Sequence, residues 1–252
     1  MLCNRLPCAK VIIFIEKSSV RRRIIWCLGR YCVSLHHTQN RNIYTEQKKV
    51  MKPIFIAGPC VIESEEILDA VASTLVDINR RLGIDIIFKA SFDKANRTSF
   101  SSYRGPGLER GMQMLGDIKD RYGLRITTDI HETYQAEAAA EVCDILQIPA
   151  FLCRQTDLLV AAAQTRRIVN IKKAQFLSGE DMRYPVEKVN KIYAARGVRQ
   201  ECWLTERGNC YGYNNLVVDF RNIPDMLQFT DRVIMDGTHS VQRPGGAGWK
   251  TG

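Results

Sequence analysis

The 252-residue sequence lacks any hydrophobic run that approaches the length of a membrane span. Its longest apolar run near the N-terminus is Val11–Ile15, whereas a transmembrane helix needs about 20 apolar residues, so we expect no membrane partner. No signal peptide is evident, and the nine cysteines are an odd number. These features argue against a disulfide framework and favour a cytoplasmic location.

Acidic residues are scarce in the first 50 positions, which hold 10 of the 36 Lys and Arg residues but 2 of the 27 Asp and Glu residues. This segment therefore carries nearly all of the net charge of +9, and we predict no nucleic-acid partner for the remainder. The segment is either a targeting peptide, a basic interaction arm, or non-native sequence upstream of a start at Met51. We favour the last, because regular patterning begins just after Met51.

From residue 54 the sequence alternates between β-rich runs and helical patterns. The best helical example begins with Ser64 as a candidate N-cap and ends at Gly83. Alternation of this kind predicts parallel strands joined by crossover helices. Seven β-rich runs are present, at residues 54–60, 85–92, 125–131, 144–150, 168–176, 201–208 and 232–239.

Nearly every predicted strand ends in polar residues, which distinguishes two α/β architectures. An open doubly wound sheet concentrates its site at one switch point, whereas a (β/α)8 TIM barrel collects functional groups from many strand ends. We therefore predict an α/β TIM barrel over residues 51–252. Because the sequence ends in a Gly-rich stretch with no eighth run, we expect a barrel that is truncated after strand 7 and cannot close. We expect a disordered or non-native leader over residues 1–50.

The predicted mouth of the barrel is rich in cations. Arginine and lysine at this density suit phosphates and carboxylates, so we expect small, phosphorylated, anionic substrates. A buried lysine that forms a Schiff base is the alternative. The cations at or after strand ends are Lys89, Lys94, Arg97, Arg154, Lys172, Lys173 and Arg207.

Three further features at strand ends are candidates for chemistry. Cys60 and His239 have two possible roles. They are two ligands of Zn, Fe or a similar ion, or they are a buried thiol beside a hydrogen-bonded imidazole. The carboxylates of "DIHE" (129–132) and "TERG" (205–208) either transfer protons or orient neighbouring cations. Spacing leaves these alternatives open.

Several long motifs resemble the 3-deoxy-D-manno-octulosonate 8-phosphate (KDO 8-phosphate) synthase family over residues 52–252. They are "IAGPCVIES", "FKASFDKANRTS", "TTDIHE", "QIPAFLCRQTDLL", "NIKKAQF", "LTERG", "YGYNNLVVDFR" and "DGTHSVQRPGG". The resemblance implies a (β/α)8 barrel, usually a homotetramer. It implies condensation of phosphoenolpyruvate, D-arabinose 5-phosphate and water for lipopolysaccharide synthesis, without an organic cofactor. The alternatives are 3-deoxy-D-arabino-heptulosonate 7-phosphate synthase, whose arginine motif reads Lys-Pro-Arg, and an inactive fragment.

The resemblance also implies roles for individual residues. It implies that Lys89, Lys94, Lys172 and Arg207 hold phosphoenolpyruvate near Gln147, and that Asp129 lies near the pentose hydroxyls. It implies a divalent metal, Zn, Fe or Mn, on Cys60 and His239, with two more ligands beyond strand 7. The implied catalytic residues are Lys89, Lys94, Asp129, Lys172 and His239, and the implied substrate-binding residues are Asn96, Arg97, Thr98, Gln147, Arg154, Arg207 and Gln242.

Overall fold

The computed structural model describes residues 54–244 in full and the backbone of three short segments before them. The rest of the predicted leader and the end of the Gly-rich stretch lie outside the described residues. The early segments are strands β1 (Lys10–Glu16), β2 (Trp26–Leu28) and β3 (Tyr31–Val33), of which β2 and β3 form a hairpin.

All seven predicted parallel strands are confirmed. They are β4 (Ile54–Gly58), β5 (Asp85–Lys89), β6 (Arg125–Asp129), β7 (Ile145–Ile148), β8 (Ile168–Lys172), β9 (Cys202–Glu206) and, after the short hairpin of β10 (Asn209–Cys210) and β11 (Leu216–Val217), β12 (Arg232–Asp236). Each pairs in parallel with the next along the ring.

The helices lie between the strands, as the alternation predicts. They are α1 (Glu65–Leu82), α2 (Leu108–Tyr122), α3 (Gln135–Val142), α4 (Thr156–Gln164), α5 (Arg183–Ala195) and α6 (Asn222–Met226). Helix α1 begins where predicted, because Ser64 Oγ accepts a hydrogen bond from the Ile67 N–H at 3.3 Å. It ends at Gly83, whose φ of 63° is the left-handed conformation that glycine adopts without strain.

The eighth position of the ring is filled from an unexpected part of the chain. Strand β1 lies between β12 and β4 and runs antiparallel to both, with Ile13 opposite Met235 on one side and Phe55 on the other. No eighth parallel strand follows β12 within residues 237–244, which agrees with the prediction for the parallel strands. The expectation that the ring therefore stays open is corrected, because β1 pairs with both edges that would otherwise expose backbone hydrogen-bonding groups.

Period-two alternation places one set of side chains inside the barrel and the other against the helices. The floor of the interior is a cluster of Ile56, Ile87, Ile145, Trp203 and Ile234. The intervening residues join the helices in a larger apolar core. Two residues beyond the floor, the inward positions become polar, which places the polar strand ends at one mouth. Among the described residues, no helix is long and apolar enough to cross a membrane.

Candidate active site

The carboxyl ends of the parallel strands surround a cavity of about 610 Å³. The cavity brings together residues from almost every strand end and from the loop after β5. All but one of the residues to which the resemblance assigns a role line it: Cys60, Lys89, Lys94, Asn96, Arg97, Thr98, Asp129, Gln147, Lys172, Arg207, His239 and Gln242. Arg154 does not line the cavity and is exposed on the surface.

One buried carboxylate organises the cations on the β5 and β6 side. Lys89 Nζ lies 2.9 Å and Lys94 Nζ 3.5 Å from Asp129 Oδ2. Ser91 joins the three, because its hydroxyl donates to Asp129 Oδ2 and accepts from Lys94 Nζ at 2.8 Å. The other carboxylate oxygen, Asp129 Oδ1, accepts from Gln147 Nε2.

The charges in this cluster shift one another's pKa values. Burial by itself raises the pKa of Asp129, but Lys89, Lys94 and Lys172 outweigh it and hold the pKa well below its usual value. Burial lowers the pKa of Lys94 to about 8, helped by repulsion from Lys89. For Lys89 the opposing attraction of Asp129 outweighs burial, so its pKa is raised. Lys89 and Asp129 are therefore a charged pair at neutral pH.

A second buried carboxylate, Asp236, organises the opposite side of the mouth. Its Oδ2 accepts from Lys172 Nζ at 2.6 Å and lies 2.6 Å from His239 Nδ1. Its Oδ1 accepts from the backbone N–H groups of Thr238 and His239. Burial raises the pKa of Asp236, but Lys172 and His239 outweigh burial and hold it well below its usual value. The imidazole is thereby fixed with Nδ1 on Asp236.

The other imidazole nitrogen faces the candidate metal ligand. His239 Nε2 lies 4.0 Å from Cys60 Sγ, close to the separation expected of two ligands that share one ion. A carboxylate on the far nitrogen of a histidine is a usual support for a metal ligand. The two donors therefore fit a metal, although no group of three or more such residues is present within residues 54–244.

Arg207, just after β9, lines the cavity on the same side as Lys172 and His239. Burial lowers the pKa of its guanidinium, and Nη2 donates to the His239 carbonyl at 3.4 Å. Its Nη1 is buried and has no hydrogen-bond partner among the described residues. A buried donor without an acceptor costs free energy, which an anion in the cavity would recover.

The loop after β5 forms the outer rim. Asn96, Arg97 and Thr98 are exposed there, and Arg97 Nε donates to the Tyr103 carbonyl at 3.2 Å. The rim is therefore accessible to a second ligand above the buried cations.

Lys173 is not at the mouth, so that prediction is wrong. Its side chain turns to the opposite face of the barrel wall from Lys172, as adjacent strand residues do. There it is fully buried, 3.6 Å from Glu206 Oε1, and donates to Asn209 Oδ1 at 2.8 Å. The pair joins the ends of β8 and β9 behind the cavity.

Four buried polar residues of the site escaped prediction from sequence. Ser91 and Asp236 contact the predicted cations directly, while Asn170 and Thr205 lie one layer below. The period of the strands could have revealed two of them. Asn170 lies two positions before Lys172, and Thr205 lies two positions before Arg207, so each shares the inward face of the cation that follows it.

Comparison with known proteins identifies the family. The DAHP synthetase I family matches residues 38–250. A protein named 2-dehydro-3-deoxyphosphooctonate aldolase from Helicobacter pylori (strain P12) is 54% identical over 215 residues, which cover 82% of this chain and 78% of the relative. Proteins of the same name from Wolinella succinogenes and Fusobacterium nucleatum are 57% and 55% identical, with 79% of this chain covered in each case and 78% and 69% of the relatives. The chain belongs to the DAHP synthetase I family.

Proposed function

We propose that the chain condenses phosphoenolpyruvate with D-arabinose 5-phosphate and water to give KDO 8-phosphate and inorganic phosphate, a step of lipopolysaccharide synthesis. The names of its relatives support this reaction. The single observation that carries it in the structure is the buried Arg207, which lines the cavity with three lysines and whose Nη1 lacks an acceptor among the described residues.

The charge of the cavity suits two anionic substrates. Lys89, Lys94, Lys172 and Arg207 surround its inner part, and two carboxylates, Asp129 and Asp236, hold three of those cations in place. Two phosphorylated substrates repel each other, and the cations offset that repulsion while fixing their orientation. Phosphoenolpyruvate would lie innermost, and the rim with Asn96 and Arg97 would hold the pentose phosphate.

The reaction forms one carbon–carbon bond and releases phosphate. Carbon 3 of phosphoenolpyruvate attacks the aldehyde carbon of the pentose, water adds at carbon 2, and the carbon 2–phosphate oxygen link is lost as phosphate leaves. Lys172 and Arg207 would stabilise the negative charge that develops on the leaving phosphate. Asp129, fixed by Lys89 and Gln147, would orient the pentose hydroxyls beside the aldehyde.

Cys60 and His239 would hold a divalent metal such as Zn, Fe or Mn in this proposal. The metal would polarise the aldehyde or orient water when bound. Asp236 would keep His239 Nε2 directed at the ion through its contact with Nδ1. The proposed reaction uses no organic cofactor.

The alternative substrate is erythrose 4-phosphate, the partner used by 3-deoxy-D-arabino-heptulosonate 7-phosphate synthase. The rim reads Lys94, Ala95, Asn96, Arg97 in place of Lys-Pro-Arg, and Asn96 offers an additional amide to a longer sugar. A cytoplasmic homotetramer without membrane or nucleic-acid partners completes the proposal. Arg154, exposed outside the cavity, would then reach a phosphate in a neighbouring subunit.

The test measures phosphate release from phosphoenolpyruvate with each sugar phosphate. We expect turnover with arabinose 5-phosphate at a kcat/KM at least tenfold above that with erythrose 4-phosphate. Arg207→Met should reduce turnover at least about a hundredfold, a loss typical when one transition-state donor is removed. Arg121→Met is the matched control, because Arg121 is exposed and pairs with Asp69 on the outer helices. Preference for erythrose 4-phosphate, or absence of turnover by folded, metal-loaded protein, would refute the proposal.

A further inference from the structure

A row of hydrogen-bonded polar side chains crosses the barrel interior between the apolar floor and the cations of the mouth. Thr205 Oγ1 donates to Asn170 Oδ1 at 2.8 Å, and Asn170 Nδ2 donates to Gln147 Oε1 at 3.0 Å. Gln147 Nε2 in turn donates to Asp129 Oδ1. These four residues, which we call the polar row, come from the adjacent strands β9, β8, β7 and β6 and are all buried.

The direction of every hydrogen bond in the polar row follows from the carboxylate at one end. A carboxylate only accepts, so Gln147 must present its NH₂ group to Asp129. Its oxygen then faces Asn170, which must also present NH₂. The oxygen of Asn170 is left for Thr205, whose hydroxyl must donate. A single orientation of both amides therefore satisfies the row.

The side chains beneath these amides are mainly apolar. The layer beneath the polar row is the apolar floor that contains Ile87, Ile145 and Trp203. Asn170 and Thr205 do not line the cavity. If the Thr205 hydroxyl is removed, the Asn170 oxygen is a buried acceptor without a donor, and the end of the row opposite Asp129 is no longer held in place.

The orientation of Gln147 decides how Asp129 is held. With NH₂ on Oδ1, the carboxylate is fixed so that Oδ2 meets Lys89 at 2.9 Å and Lys94 at 3.5 Å. A Gln147 amide turned over would place its oxygen against Oδ1 and push the carboxylate away from that position. The polar row thus reaches the cavity at Gln147 and Asp129, the two members of the row that line it.

We propose that Thr205 and Asn170 are positioning residues that fix the Gln147 amide and, through it, the Asp129 carboxylate for the sugar substrate. This inference rests on the proposed function for its kinetic readout but on the polar row alone for its structural one.

The first experiment removes the Thr205 hydroxyl. Thr205→Val should lower kcat/KM for arabinose 5-phosphate about tenfold at saturating phosphoenolpyruvate, the size expected for one buried hydrogen bond. Thr205→Ser keeps the hydroxyl and should restore activity to within about twofold. Thr230→Val is the matched control, because Thr230 is also buried but donates to the Cys202 carbonyl. Thr205→Ala gives a second variant if the valine does not fold.

The second experiment asks whether Thr205 acts through Gln147. In a double-mutant cycle with Gln147→Met, the Thr205→Val change should cost less than twofold, because the amide that it orients is gone. If Thr205→Val costs its full tenfold in that background as well, its effect is only structural and the inference is wrong. An unchanged kcat/KM for Thr205→Val alone would also overturn it.

Side-chain amide NMR separates this inference from the proposed function. The Gln147 and Asn170 NH₂ signals, assigned by mutation, should be protected from solvent exchange in the native protein and shift in Thr205→Val but not in Thr230→Val. If those shifts occur while arabinose 5-phosphate is not turned over, the proposed function fails and the polar row stands. If the signals are unprotected or do not move, the positioning inference fails whatever the activity.

Discussion

Replacing Asp129 with asparagine tests how the buried charges of the mouth are balanced. The substitution keeps the shape of the side chain and its acceptor for Gln147, but removes the negative charge that Lys89 and Lys94 share at 2.9 and 3.5 Å. At an effective dielectric constant of about 20, each contact corresponds to roughly 5 kcal/mol of Coulomb attraction. The net loss of stability is smaller, because the variant also avoids the free-energy cost of removing a carboxylate from water.

Measured losses on removal of one partner of a buried pair are about 3–5 kcal/mol. The lower end applies here, because Lys94, with a pKa of about 8, can release its proton once the carboxylate is gone. For a domain of this size, about 3 kcal/mol corresponds to a fall in Tm of about 6–12 °C. We therefore expect the Asp129→Asn variant to fold, with a Tm about 6–12 °C below that of the native protein.

Calorimetry over a range of pH and phosphate concentration provides the assay. The pKa of Asp129 is depressed in the folded state, so its stabilising effect is present above its unfolded pKa of about 4 and is lost as pH falls through the folded value. The Tm difference between the native protein and the variant should therefore narrow below about pH 4. Inorganic phosphate should raise the Tm of the variant more than that of the native protein, because it replaces the missing negative charge. An equal Tm at pH 7, or a smaller effect of phosphate on the variant, would refute this account.

Three further predictions concern the barrel wall and the thiols. Ile13→Pro in β1 removes a backbone N–H from a strand that is paired on both sides. It should therefore lower Tm by several degrees, whereas the control Ile13→Val should not. Equal Tm values for the two variants would show that β1 does not close the barrel in solution. Lys173→Met leaves Glu206 as an unpaired buried charge and should cost about 3–5 kcal/mol of unfolding free energy, most of it recovered when Glu206→Gln is added; additive losses in chemical denaturation would contradict the pairing. Among residues 54–244, iodoacetamide at pH 8 should label Cys210, which is exposed, far faster than Cys143, which is buried and whose pKa burial raises to about 12; peptide mass spectrometry that finds Cys143 labelled first would contradict the burial.

Much of the mouth could be predicted because strand chemistry is local. Lys89 and Asp129 follow apolar runs whose period fixes which face each residue takes, and parallel strands bring their carboxyl ends to one side. The same rule, applied strictly, would have excluded Lys173, because two adjacent residues of a strand cannot both face the barrel interior. The density of positive charge led to the prediction that Lys173 lies at the mouth, but the alternation of side chains along the strand turns it to the opposite face.

The sequence by itself determined the alternation of strands and helices, the caps of α1, the cationic mouth and the family. Each depends on residues close together in the chain or on long ordered motifs. The tertiary structure alone decided that Asp236 fixes His239, that Thr205 and Asn170 support Gln147, and that β1 closes the ring. Those outcomes depend on contacts between residues far apart in sequence, such as Ile13 with Met235. Local propensity and period carry no information about which distant partners satisfy a buried amide, a carboxylate or an open strand edge.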